Sequence, residues 1–154
     1  TNAEWLSPYL NKVRKAADLK KIDLTEVLYY SIEKSLQKKL EQLAPTKVNV
    51  PSGSSIKLNY QASGSAPILA VRLQECFGLE NTPKVNNGQT GVLMHLLSPG
   101  YKIVQITSDL KSFWADAYFE VRKDLRQRYK KHSWPDNPTE AIAIKGTKRQ
   151  NNMR

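Results

Sequence analysis

The chain has 154 residues, 40% of them hydrophobic, which suits one ordinary domain with a helical preface and is too apolar for a disordered polymer. Its formal charge is +10, and residues 122 to 154 hold ten Lys and Arg against three Asp and Glu, so most of the field belongs to one end. No apolar run approaches the roughly 20 residues that span a bilayer, the start lacks the basic-then-apolar order of a secretory signal, and the lone Cys76 excludes a disulfide framework or cysteine-rich zinc site within the chain, so a soluble, cytoplasmic protein is expected.

In chain order, Trp5 to about Ala17 reads as a short helix with Trp5, Tyr9 or Leu10, and Val13 inward. Asp23 followed three residues later by Glu26 resembles a capping box. Leu24, Leu28, Ile32, Leu36, Leu40 and Leu43 then form a stripe that predicts one helix up to Pro45. These helices could pack on the following domain or, in a longer protein, on the preceding one, for which the stripe would be a docking face. From Lys47 the period changes to two: Val48 and Val50, a turn at Pro51-Ser52-Gly53-Ser54, then Ile56, Leu58 and Tyr60, a predicted hairpin. Pro67 is placed to open a helix running through Leu73 and Cys76 to Gly78. Cys76, beside Phe77, is expected to be a buried, inert thiol. Val92 to Leu97 and Tyr101 to Ile106 flank Ser98-Pro99-Gly100 and should pair antiparallel, with Lys84 to Asn86 a possible short neighbour.

The last helix carries the strongest signal. Leu110, Phe113, Trp114, Ala117, Tyr118, Val121, Leu125 and Tyr129 fall on one face, and Ser108 or Asp109 caps it. Beside that face, Arg122, Arg126 and Lys130 stack at four-residue steps, with Lys123, Arg128 and Lys131 at the same end. Residues 138–154 show little periodicity and add Lys145, Lys148, Arg149 and Arg154 as a basic, flexible tail. The expected organisation is a helical preface over 1–45, an α+β domain over 46–137 and that tail. The fold class is α+β: an antiparallel sheet of four or five strands covered by helices, preceded by a two-helix segment.

The order of several stretches resembles the C-terminal domain of HrpB-type ATP-dependent helicases, a bacterial branch of the DEAH-box RNA helicases. The likeness covers roughly residues 48 to 149. It rests on Pro51-Ser52-Gly53-Ser54, Ala70 through Glu75 with Phe77-Gly78, Leu96-Leu97-Ser98-Pro99, and Asp109-Leu110, Phe113-Trp114, Tyr118, Glu120 through Lys123, Arg126, Arg128-Tyr129, Lys131-His132 and Trp134-Pro135. The chain departs from the family at Gln127 and Lys130, where glycine and proline are usual. The resemblance implies NTP hydrolysis coupled to RNA remodelling, with ATP and Mg held by RecA-like motor domains elsewhere in the same protein. It implies no catalysis and no cofactor for this chain.

The chemistry of the sequence agrees with that division. There is no phosphate loop ending in Gly-Lys-Ser/Thr: Gly88-Gln89-Thr90-Gly91 lacks the lysine and precedes a strand, and no DEAH-type acidic motif is present. His95 lies in an apolar strand, and neither histidine has a carboxylate at ligand spacing, so no metal or hydrolase constellation forms. What remains is anion binding. The candidate nucleic-acid contacts are Arg122, Lys123, Arg126, Arg128, Lys130, Lys131, His132, Lys148 and Arg149, with Tyr129 and Trp134 as possible stacking rings. His132, among lysines, should take a proton when phosphate approaches. Arg72 and Lys57 could join only if the fold brings them near. The expected partners are the helicase core in cis and RNA. The alternative is a docking domain, without RNA binding of its own, that meets the core or an acidic protein; no membrane contact is expected.

Overall fold

The computed structural model describes residue 4 and residues 6–152, with side chains described through Gln150. The chain divides between Leu43 and Ala44 into two compact units.

The first unit is helical: α1 (Ser7–Leu10), α2 (Ala16–Leu19), α3 (Leu24–Ser31) and α4 (Lys34–Leu43). Both helices expected here are therefore split. Asp23 caps α3 as the sequence suggests, its carboxylate accepting from the Thr25 and Glu26 amides at 3.0 and 3.1 Å. The stripe is interrupted at Ile32, whose ψ of 154° is extended. Ser31 Oγ donates to the Leu28 carbonyl at 2.7 Å, local side-chain competition that favours ending a helix there. Gln37 Nε2 then reaches the Ile32 carbonyl at 2.9 Å, and the Tyr29 hydroxyl donates to Glu41, tying α3 to α4. Among the described residues of this unit only Val27 is buried, while Leu24, Leu28, Leu36 and Leu40 remain exposed. Trp5, expected to point inward, lies outside the described residues.

The second unit is α+β. Its strands are β1 (Lys47–Asn49), β2 (Ser55–Asn59), β3 (Ile68–Arg72), β6 (Leu93–Leu97) and β7 (Ile103–Thr107), in the spatial order β1-β2-β3-β6-β7. The hairpins β1–β2 and β6–β7 are antiparallel, as expected. Two features correct the sequence reading. Residues 68–72 form a strand where a helix was predicted, and only Leu73–Cys76 winds, as a 3-10 turn. A short apolar run such as residues 68–71 suits either element, and alternating burial of Leu69 and Val71 between two partner strands settles it as a strand. The sheet is also not wholly antiparallel: β3 runs parallel to β6, with Ile68 opposite Leu93 and Arg72 opposite Leu97. Parallel pairing demands a crossover of a dozen or more residues. Residues 73–92 supply it, and within them β4 (Lys84–Val85) and β5 (Thr90–Gly91) form a separate ribbon and not a neighbour of the main sheet.

The last helix is also two: α5 (Leu110–Ala115), capped by Asp109, and α6 (Ala117–Arg128). Asp116 leaves helical geometry at φ −122° and ψ −78°. With the helix bent there, Leu110, Phe113 and Trp114 on α5 and Tyr118 and Leu125 on α6 all reach the core that also holds Leu69, Met94 and Leu96. The rings form an edge-to-face cluster in which Trp114 and Tyr118 centroids lie 5.3 Å apart and Phe77 meets Trp134 at 6.4 Å. Every polar ring atom finds a partner: Trp114 Nε1 donates to Leu79 O at 2.7 Å, Tyr118 Oη to Pro135 O at 2.7 Å and Trp134 Nε1 to Tyr129 O at 3.0 Å. Burial raises the Tyr118 hydroxyl pKa above its usual range, and pushes the Cys76 thiol up to about 12, which agrees with an inert cysteine.

The segment beyond Asn137, expected to be flexible, is laid against this unit. The Gly78 amide donates to Pro138 O at 2.9 Å, the Ile144 amide to Gln74 O at 3.1 Å, and the Lys148 amide to Lys131 O at 3.0 Å; Ile144 is buried. Gly78 stands at φ 85°, and a Cβ there would sit 3.3 Å from the Ala141 carbonyl, so the close approach of this segment needs glycine. α7 (Lys148–Asn152) follows. No helix among the described residues is long and apolar enough to cross a membrane.

Candidate nucleic-acid interface

Helix α6 has two flanks because its buried stripe, Tyr118, Val121 and Leu125, runs down the middle. Along one flank lies an open groove of about 730 Å³, lined by Phe119, Arg122, Lys123, Arg126, Gln127, Lys130, His132, Ser133, Trp134 and Lys148. Among the described residues its lining holds five Lys and Arg side chains and no carboxylate. The four-residue rows of α6 bring Lys123 and Arg126 to its wall, the turn after α6 brings Lys130, and the folded-back segment brings Lys148 from the other side. Among the described residues, no carboxylate lies within ion-pair distance of Lys123, Arg126 or Lys130. Such an unopposed set of cations raises the local potential for a polyanion.

The expected contacts do not all share this surface. Arg122 lies at the inner wall, 18% exposed, with Nε donating to Trp134 O at 2.9 Å and a terminal nitrogen 2.5 Å from Asp136 Oδ1. Its first task is to fasten residues 134–136 to α6. Arg128 lies on the opposite flank, with Nε 3.1 Å from Asp124 Oδ1, in a cleft that also holds Glu120 and Lys102. Lys131 is exposed and accepts from Lys148 through its carbonyl; Lys131 and Arg149 do not line the groove. Lys57 sits on β2, opposite Lys47, and Arg72 lines a separate cleft.

The two candidate rings are largely packed away. Trp134 is 6% exposed and forms part of the groove floor. Tyr129 turns toward the β6–β7 connection, its hydroxyl 3.3 Å from Ser98 Oγ, and a Cβ at position 100 would lie 2.8 Å from that hydroxyl, so Gly100 makes the fit possible. The exposed groove ring is instead Phe119, at 48%. The sequence does hold a signal for it: Phe119 is an aromatic beside the apolar stripe and not on it.

His132 lines the groove with Nδ1 buried and without a hydrogen-bond partner. Its pKa is held below the usual value, chiefly by burial and further by the positive charge of Arg72, against a hydrogen bond with the Gly146 backbone that acts the other way. A phosphate arriving here would favour the imidazolium and so oppose that depression. His95 lies half-buried in β6, opposite Ala70 and Ile106. Among the described residues no three His, Cys, Asp or Glu side chains gather as a metal site.

Comparison with known proteins places this architecture. Residues 5–138 match the HrpB_C family, described as ATP-dependent helicase C-terminal. The chain is 37% identical over 145 residues to the ATP-dependent RNA helicase HrpB of Escherichia coli (strain K12), covering 94% of this chain and 18% of that protein. It superposes with a TM-score of 0.84 on the crystal structure of the E. coli DExH-box NTPase HrpB, at 37% identity over 94% of this chain and 18% of that one. A crystal structure of the Escherichia coli DEAH/RHA helicase HrpB gives 0.66 at 36% identity, over 85% of this chain and 16% of that one. The chain thus spans under a fifth of the length of these relatives and corresponds to their C-terminal part. It belongs to the HrpB_C family of ATP-dependent helicase C-terminal domains.

Proposed function

We propose that this domain holds the sugar-phosphate backbone of RNA beside an ATP-driven helicase core of the same protein. The observation that carries the reading is the groove on α6 whose lining, among the described residues, holds Lys123, Arg126, Lys130 and Lys148 and no carboxylate. Contacts of this kind add affinity without base choice and keep a substrate associated through cycles of a motor. ATP and Mg belong, on this reading, to RecA-like domains outside this chain. The relatives' description as an RNA helicase supports RNA as the polyanion. The test is fluorescence anisotropy of labelled single-stranded and duplex RNA with the full chain over a salt series. Binding with a steep salt slope supports the reading; no binding at low salt removes it.

A second reading is favoured by the first unit. Leu24, Leu28, Leu36 and Leu40 are 46 to 55% exposed on α3 and α4, an apolar surface that suits protein docking. Its occupant on this reading is the helicase core in cis. Leu28→Asp with Leu36→Asp should then abolish co-elution with a separately produced core, leaving RNA affinity of the domain unchanged.

A further inference from the structure

A second cluster, at the far end of β3, belongs to neither surface. Arg72 closes β3, and its Nε donates to Glu75 Oε2 at 3.1 Å. Glu75 is 4% exposed, and its other oxygen accepts from Ser52 Oγ at 2.9 Å and Ser54 Oγ at 2.6 Å. Both carboxylate oxygens are thereby occupied, and among the described residues the arginine's hydrogen bond is through Nε, which leaves its outer nitrogens for another partner. The guanidinium lies 5.2 Å from the centroid of the Tyr101 ring. That ring is 67% exposed, so this stack does not bury it. Both side chains and Lys145 line a cleft of about 480 Å³.

The backbone at Tyr101 is a second sign. Ser98-Pro99-Gly100-Tyr101 forms a turn closed by the Tyr101 amide on Ser98 O at 2.9 Å, with the Ser98 amide on Lys102 O at 2.7 Å. Tyr101 then takes φ 64°, the left-handed position of a three-residue hairpin loop where glycine is at home. A tyrosine there is strained and points its ring into solvent above an immobilised arginine. The stack on the Arg72 guanidinium is a partial local return for that arrangement, and a base stacked on the exposed ring would add to it.

The cleft is also joined to the basic groove. Lys145 lines the one and Lys148 the other, three residues apart, so about 10 Å of chain at most separates their Cα atoms. The Gly146 backbone between them and the Arg72 charge both act on the pKa of His132, in opposite directions.

We infer that Arg72, Tyr101 and Lys145 form a nucleotide-stacking subsite that takes one unpaired base of a single-stranded RNA whose backbone continues into the α6 groove. The inference rests on the RNA-holding reading above. It makes the domain a single-strand binder: the ring takes the base face, while the outer nitrogens of Arg72 and the Lys145 ammonium take the adjoining phosphate.

The experiment uses the full chain with single-stranded RNA carrying 2-aminopurine, a matched duplex, and the variants Tyr101→Ala, Tyr101→Phe and Lys123→Ala/Arg126→Ala/Lys130→Ala. The side chain at 101 is exposed, so its removal leaves the core intact. Tyr101→Ala should lose about tenfold in single-strand affinity and the 2-aminopurine quenching, Tyr101→Phe should keep both, and duplex affinity should not change. Wild-type affinity and quenching in Tyr101→Ala, on a chain that the triple variant does weaken, would overturn the subsite alone. Indifference of wild-type binding to the triple variant would remove the groove reading, and no RNA binding by the wild type would remove both.

Discussion

The two flanks of α6 make a controlled comparison, because one helix supplies both. On the groove side, Lys123 and Arg126 stand with Lys130 and Lys148, and among the described residues the lining holds no carboxylate, Asp136 being taken up by Arg122. On the other side a cleft of about 440 Å³ holds Glu120 and Asp124 with Lys102 and Arg128, and the Arg128–Asp124 pair closes at 3.1 Å. Arg126 and Arg128 both lie in the last turn, where the helix dipole favours a cation, so stabilisation of the helix end explains either equally well. It does not explain why both acids of α6 itself, Glu120 and Asp124, lie on one flank. Charge total therefore says less about a site than charge segregation does.

The most severe way to break the comparison is to remove what both flanks rest on. Trp134 floors the groove, packs against Phe77 and, through its Nε1 on Tyr129 O, helps fix the residue that lines the opposite cleft. Trp134→Ala should cost about 3–5 kcal/mol, as large aromatic deletions in cores do. Thermal denaturation followed by near-UV circular dichroism would show it as a melting point lower by about 10 °C. An unchanged melting point would mean that the floor is not structural.

The next effect is specific to one flank. Replacing Lys123, Arg126 and Lys130 together by alanine should flatten the slope of log affinity against log salt by about 2 for single-stranded RNA, taking roughly 0.7 per phosphate contact. Among the described residues these side chains make no ion pair, so the melting point should stay near the wild-type value. A normal slope with a normal fold would leave the groove without a ligand. Arg128→Ala is the matched control. It removes a half-exposed i,i+4 pair worth about 0.3–0.5 kcal/mol and should leave RNA affinity within about twofold.

The elements whose periodicity is continuous were legible in the sequence: both hairpins, the Asp23 and Asp109 caps and the stripe of α5 and α6. What escaped was decided by distant contacts. Residues 68–72 carry no helix-versus-strand distinction until β2 and β6 lie on either side of them. Asp116 breaks the last helix without any proline or glycine to announce it. The order of residues 138–150 comes from Gly78, Gln74 and Lys131, which no local pattern could reveal. The same holds for the candidate site. Four-residue spacing placed Arg122, Arg126 and Lys130 on one edge, but only the Trp134 carbonyl and Asp136 show that Arg122 is committed to the fold, and only Asp124 removes Arg128 from the groove.

The smallest effect sharpens the comparison through pH, because His132 titrates on the groove side alone. Burial, and secondarily Arg72, hold its pKa below the ordinary value in the folded chain. The unfolded chain thus binds the proton first. The stability associated with neutral His132 is present above the ordinary histidine pKa of about 6.5 and is lost as pH falls through the lower folded value. RNA has the opposite sign. Its phosphate favours the imidazolium, even with Lys130, Lys131 and Arg72 nearby, so affinity should rise modestly as pH is lowered from about 7.5 to 6 while the free domain becomes slightly less stable. His132→Gln should abolish both trends, and the Arg128→Ala control should preserve them. Parallel pH trends in His132→Gln and the wild type would show that the proton is taken up elsewhere, and the groove would then act through its fixed charges only.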